Sequence, residues 1–210
     1  MPAVFLLSPA NCGGNRARIV MSERATFDLA ERLRSRQGAS LGEVFSFLSG
    51  LYFRGKLAYG RAFACAPEGI ELDAGGVFVI TPNAGLRSPD TLITIDAIRA
   101  FAGVDVSVDN PKYRRPLERS ARALAAEIGD CPVVLLGSIA SSKYVDVLLA
   151  IFAERLMFPQ EFVGRGDMSR GGLLLRCVAA REELTYIPLA GAVRKGGRPP
   201  KLDPATRVKL

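Results

Sequence analysis

The sequence predicts an α/β fold: a single domain with a mainly parallel central sheet flanked by helices. Three short, unbroken apolar runs carry this expectation: Val4-Phe-Leu-Leu-Ser8, Val77-Phe-Val-Ile-Thr81 and Val133-Val-Leu-Leu-Gly137. Runs of this kind suit strands buried on both faces. Helical spacing dominates the stretches between them, and strands that alternate with helices form parallel sheets. With 210 residues, 49 % of them hydrophobic, the chain can bury one good core. Residues 1–192 are assigned to this domain and residues 193–210 to a basic, disordered tail.

The elements follow in order. The first strand stops at Pro9 and opens into the polar loop Ser8-Pro-Ala-Asn-Cys-Gly-Gly-Asn-Arg16. A helix is expected near Arg24 to Arg34, broken at Gln37-Gly38. Leu41 to Cys65 has a helical pattern interrupted by Gly50, Gly55 and Gly60, so two short helices should meet near Gly50 to Gly55. The second strand leads into the turn-rich loop Pro82-Asn-Ala-Gly-Leu-Arg-Ser-Pro89. Ile95 to Phe101 reads as a short helix with Thr94 as its N-cap. Arg114 to Ile128 follows a helical repeat through Leu117, Ala121, Leu124 and Ile128. After the third strand comes an apolar helix from Tyr144 to Phe152, then a short strand over Arg155 to Phe158. Gly164 to Gly172 reads as a loop, with a helix or strand continuing to Val178. Leu184 to Pro188 is an edge strand, because Pro188 cannot donate to a ladder. Ligands of such sheets sit beyond the carboxyl ends of the strands. The loops after Leu7, Ile80 and Leu136, with the 164–172 loop, should therefore share one rim.

Composition excludes much. The chain has no histidine, which removes Ser-His-Asp and Cys-His catalysis and His-ligated zinc. No metal site and no cofactor is expected. Cys12, Cys65, Cys131 and Cys177 lie far apart without a Cys-x-x-Cys pair, as expected of reduced thiols in a cytoplasmic protein. The apolar start lacks a preceding basic residue, and no apolar run reaches membrane-spanning length, so no membrane partner is expected. The net charge is +7, but residues 194–210 carry +5 of it and the rest of the chain only +2. A basic tail on a nearly neutral body points to a polyanion.

Four stretches carry candidate chemistry. Gly137-Ser-Ile-Ala-Ser-Ser-Lys-Tyr144 leaves a strand and enters a helix, where free N–H groups with Ser138 and Lys143 suit a phosphate. Taken alone, the stretch is better explained by an ordinary serine N-cap. Gly164-Arg-Gly-Asp-Met-Ser-Arg-Gly-Gly172 puts Arg165, Ser169 and Arg170 around a single carboxylate, Asp167. Arginine forks match phosphates, whereas a solvated loop with Asp167 paired to an arginine is the plainer alternative. Tyr52-Phe-Arg-Gly-Lys-Leu-Ala-Tyr-Gly-Arg61 interleaves aromatic and basic residues, as single-strand binding does. Phe53 is expected in the core there, and Arg54 and Lys56 in solvent. In the tail, Arg194, Lys195, Arg198 and Lys201 alternate with Gly and Pro. Gly197-Arg-Pro resembles the core of an AT-hook, with Gly196 where that motif has its first arginine; such a segment reads the minor groove.

The rim motifs, taken in order, resemble YaaA-type proteins. Ser8-Pro-Ala10, Leu51-Tyr-Phe-Arg-Gly-Lys56, Asn83-Ala-Gly-Leu-Arg-Ser-Pro89 and Arg165-Gly-Asp-Met-Ser-Arg170 carry the likeness as scattered short matches over residues 4–178. The family's Ser-Pro-Ala-Lys falls on Ser8 to Asn11, so its lysine is Asn11 here. The resemblance implies a cytoplasmic bacterial protein linked to peroxide stress and DNA, with a fold related to uracil-DNA glycosylases. It also implies a helix-hairpin-helix-like insertion at Gly50 to Gly55. Ser8, Asn83 and Arg87 then join the nucleic-acid-binding candidates.

Three functions follow as expectations. The first is a nucleic-acid-binding protein, DNA before RNA, in DNA protection, repair or processing. The second is a nucleobase or nucleotide enzyme that cleaves an N-glycosidic bond, with Asp167 stabilising oxocarbenium charge and Asn11 and Asn83 supplying amides. The third is a non-enzymatic partner-binding module.

Overall fold

The computed structural model describes residues 2–140, 142–194, 196–197, 199–200 and 202. The chain runs β1 (Val4–Leu7), α1 (Asn15–Met21), α2 (Asp28–Arg34), β2 (Ala39–Ser40), α3 (Leu41–Ser49), α4 (Leu51–Phe63), β3 (Val77–Thr81), β4 (Gly85–Arg87) and β5 (Leu92–Ile93). It continues through α5 (Ile95–Ala102), α6 (Pro111–Glu127), β6 (Val133–Leu136), α7 (Ser142–Phe152), β7 (Leu156–Pro159), α8 (Asp167–Ala180) and β8 (Tyr186–Pro188).

Six strands form the central sheet in the order β4-β3-β1-β6-β7-β8. The inner four are parallel, with Leu7 level with Val79 on one side and with Leu136 on the other. β4 and β8 add antiparallel edges. Alternation along each strand divides the core in two. Phe5, Leu7, Val77, Val79, Val134 and Leu136 meet α1 to α5 and α8 on one face. Val4, Leu6, Ile80, Val133 and Leu135 meet α6 and α7 on the other. Burial on both faces is why these strands read as unbroken apolar runs.

Local chemistry explains several boundaries. Ser40 caps α3 by accepting from the Glu43 N–H at 3.3 Å, with Glu43 at the third helical position. Asn110 caps α6 by accepting from the Lys112 N–H at 3.1 Å, and Pro111 opens the helix where its missing N–H costs nothing. Ser120 Oγ accepts from the Leu86 N–H at 2.8 Å and donates to the Pro116 carbonyl at 2.9 Å, which ties edge strand β4 to α6.

The structure corrects the sequence reading in five places. A first helix, α1, begins at the end of the polar loop and fills a stretch to which the sequence reading assigns no element. The turn-rich 82–89 stretch contains strand β4. Thr94 takes the N-cap position of α5 as expected, but its side chain makes no capping hydrogen bond. α6 begins at Pro111, three residues early. The 164–172 loop is short: α8 starts at Asp167, so Asp167, Ser169 and Arg170 lie in its first turn. The two helices expected around Gly50 are α3 and α4. They belong to the layer over the sheet, since α4 packs directly on β1 and β3 and, on its other flank, on α8.

Candidate active-site cleft

The chain leaves β1 for β3 on one side of the sheet, then returns past β1 to β6 on the other. At that reversal the connections diverge and leave a crevice beyond the carboxyl ends of β1 and β6. A cleft of about 980 Å³ lies there. Its walls come from the loop after β1, the loop after β6, α4, the loop after α5, and the first turns of α7 and α8.

Of the residues singled out from sequence, Ser8, Asn11, Lys56, Ser138, Lys143 and Asp167 line this cleft. Asp167 therefore lies on the same side as Ser8. Pro82 also reaches it, but Asn83 is not part of its lining, and Arg87 is exposed on edge strand β4. Arg54 is exposed and, with Arg16, lines a smaller depression that adjoins the cleft at Leu48, Ser49 and Met168.

The arginines expected to hold phosphate instead hold the chain. Arg170 is buried and donates through Nε and Nη2 to the Phe162 carbonyl at 3.2 and 3.0 Å. Its Nη1 lies 3.6 Å from Asp167 Oδ1. Arg165 donates to Ser169 Oγ and to the Pro200 carbonyl, each at 3.3 Å, so Ser169 is engaged as well. In the tail, Arg194 reaches Asp146 at 3.7 Å. Lys195, Arg198 and Lys201 lie outside the described residues.

Lys56 departs furthest from expectation. It is only 1 % exposed, because α4 is covered on both flanks, by the sheet and by α8. Its Nζ donates to the Ser8 carbonyl at 2.7 Å and to Ser8 Oγ at 2.8 Å. The rings of Tyr52 and Phe53 complete its surroundings, 4.6 and 4.8 Å from Nζ. No carboxylate lies within ion-pair distance of Lys56 among the described residues. Burial is the main force that lowers its pKa, to about 7; Asp167 opposes the shift and Arg170 adds to it.

Two tyrosines not expected at the site flank the pair. Tyr144 donates to the Ser138 carbonyl at 2.8 Å, and burial pushes its pKa up to about 12. Gly137 lets it approach: a Cβ there would lie 2.8 Å from both Ser8 Cβ and Tyr144 Oη. The Tyr52 hydroxyl is buried beside the Arg170 guanidinium without a hydrogen bond of good geometry, and burial raises its pKa too. Burial likewise drives Cys12, a third unforeseen lining residue, up to about 12. Its thiol is therefore not a ready nucleophile. Each tyrosine stands beside or near a basic residue in the sequence, and a basic residue in a loop or helix start reads first as a phosphate ligand.

No family model, curated protein or solved structure matches this chain. Function rests on the cleft itself. Among the described residues, no three His, Cys, Asp or Glu side chains gather as metal ligands, and no helix is long and apolar enough to cross a membrane.

What the cleft offers is a serine at its floor with a buried lysine behind it. An exposed carboxylate stands on one wall, a lysine at the mouth, and apolar surface comes from Leu48, Phe101, Val104 and Met168. The cleft is about as polar as it is apolar, and convergent polar groups set against apolar walls are what fix the orientation of a small-molecule ligand.

Proposed function

We propose that the protein is an enzyme that acts on a nucleotide unit, free or within a nucleic acid, bound in the cleft between β1 and β6. The observation that carries this reading is Lys56. A lysine buried among aromatic rings without a counter-ion costs several kcal/mol, and perturbed ionisable groups in clefts concentrate at functional sites. A structural cap for the Ser8 carbonyl would need one donor and no second bond to Ser8 Oγ.

The nucleotide class is supported by the size of the cleft, by Lys143 at its mouth, and by Asn11 and Tyr52 as polar side chains of its lining able to read a base edge. The resemblance to YaaA-type proteins points the same way. Asp167, with its side chain 67 % exposed on the cleft wall, is placed to stabilise positive charge on a sugar if the bond broken is N-glycosidic.

A second observation favours contact with the polymer. Lys112, Arg115, Arg119 and Arg122 fall on one exposed face of α6 and make no ion pair among the described residues, whereas Arg114 pairs with Glu118 at 3.5 Å. Such a stripe suits a phosphate backbone.

The test is equilibrium binding of mononucleotides, single strands and duplexes, with mass analysis of the products. Nucleotide binding abolished by Tyr52→Phe together with Asn11→Ala supports the reading. Binding of no nucleotide at any concentration tested removes it.

A further inference from the structure

We propose that Ser8 and Lys56 form a nucleophile–base pair that opens a phosphate ester held in the cleft, through a phosphoserine at position 8. This rests on the cleft being an active site for nucleotides, and it assigns the reactive bond.

The geometry has three parts. Ser8 Oγ and Lys56 Nζ are 2.8 Å apart, within the reach that proton transfer to a base requires. A third group orients the base: the Ser8 carbonyl, at the end of β1, accepts from the same Nζ at 2.7 Å, and the Tyr52 and Phe53 rings confine the rest of the side chain. Lastly, the serine stands between base and ligand space. Ser8 lines the cleft while Lys56 lies behind it, 1 % exposed, so an ester in the cleft meets the oxygen and not the amine.

Phosphate is the ester class these surroundings favour. Lys143 and the first turns of α7 and α8, helices of 11 and 14 residues, line the same cleft, and N-terminal turns favour anions. Tyr52, only 7 % exposed, lines the same cleft, and its buried hydroxyl lies beside the Arg170 guanidinium.

The step balances with water as its only co-reactant. Neutral Lys56 takes the Ser8 hydroxyl proton as Oγ attacks phosphorus. The bond from phosphorus to the departing alcohol breaks, and that oxygen takes the proton from the Lys56 ammonium. Water then attacks the phosphoserine, giving one proton to Lys56. The Oγ–P bond breaks and Oγ recovers the proton, which leaves the resting pair and free phosphate from a monoester, or a phosphate monoester from a diester.

The charged and titratable groups facing Lys56 are Asp167 and Arg170 from α8, Tyr52 from its own helix, and Tyr144 from α7 beside Ser8. Asp167 favours the ammonium and Arg170 the neutral amine, so the rate should climb as pH rises through about 7.

The experiment uses the full chain with p-nitrophenyl phosphate, bis(p-nitrophenyl) phosphate and p-nitrophenyl acetate, followed by acid quench and peptide mapping. The expected result is one phosphoryl group on the peptide holding Ser8. Ser8→Ala should abolish the adduct, and Lys56→Met should slow turnover by about 10²–10⁴ with the pH dependence removed. Lys56→Arg, which keeps the charge but not the base, should behave like Lys56→Met. Thermal melts confirm that each variant is folded. An adduct on another residue, an acyl adduct from the acetate alone, or full turnover by Lys56→Met would each overturn the proposal. Nucleotide binding without any Ser8 adduct would overturn the pair and leave the cleft reading intact; loss of both would remove the two together.

Discussion

Gly55 of α4 and Gly171 of α8 meet backbone to backbone: a Cβ on Gly55 would lie 2.7 Å from the Gly171 carbonyl oxygen, and one on Gly171 would lie 2.8 Å from the Tyr52 Cα. This crossing brings Asp167 and Arg170 into electrostatic range of Lys56. Gly171→Ala should destabilise the protein by about 1–3 kcal/mol, because overpacking against backbone outweighs the gain of up to ~1 kcal/mol in helix propensity. Gly172→Ala, one residue on in the same helix and meeting only the Leu202 side chain at 3.6 Å, is the control and should be neutral or stabilising. Urea midpoints measure both; equal midpoints for the two variants would contradict the close crossing.

Lys56 makes stability depend on pH. Its folded pKa of about 7 lies below the ordinary 10.5, so between these values the unfolded chain binds more protons than the folded one. Stability therefore rises with pH across that window, and the penalty is fully present below it. Relative to wild type, Lys56→Met should be stabilised most at pH 7 and below, by an amount on the order of 4 kcal/mol less whatever the missing Ser8 bonds cost. Its advantage should shrink toward pH 10.5. A difference between the two proteins that does not vary with pH would mean that Lys56 keeps its proton throughout.

Asp167→Asn removes the carboxylate that favours the Lys56 ammonium. Any pH–rate profile governed by Lys56 should move to lower pH, while nucleotide affinity stays equal or improves, since one repulsive charge is gone. If the bond cleaved is N-glycosidic, the rate should instead fall by about 10²–10³ at every pH. Single-turnover rates across pH separate the two outcomes.

The basic face of α6 predicts salt-dependent binding. Replacing Arg119 and Arg122 with Ala should weaken nucleic-acid affinity across sequences and flatten the log–log salt slope by about 2, one for each phosphate no longer neutralised. Truncation before Arg194 tests the +5 tail in the same way. Whichever change leaves the slope untouched identifies a surface that does not meet the polymer.

The architecture was legible because β1, β3 and β6 are buried on both faces, and such strands can hardly be written except as apolar runs. The location of the cleft followed from topology alone. Its chemistry did not. Lys56 reads as a solvated cation because helical patterning assumes that a helix has an outer face, and α8, more than a hundred residues later, covers that face of α4. Arg170 misled for a related reason: its guanidinium completes the Phe162 turn instead of meeting a ligand. Short segments such as α1 and β4 escaped because their stability comes from the layers they pack on.

The cleft draws its walls from both sides of the sheet. Tyr52, Lys56 and Asp167 come from the layer over one face, and Lys143 and Tyr144 from the layer over the other. A molecule bound there acts as a clasp between two halves that the sheet holds apart. Its binding energy then adds to cohesion across that seam, by about 2.7 kcal/mol at a hundredfold excess over Kd. Heat resistance alone can therefore reveal the right molecule in a library of nucleotides and phosphate esters, before any reaction is known.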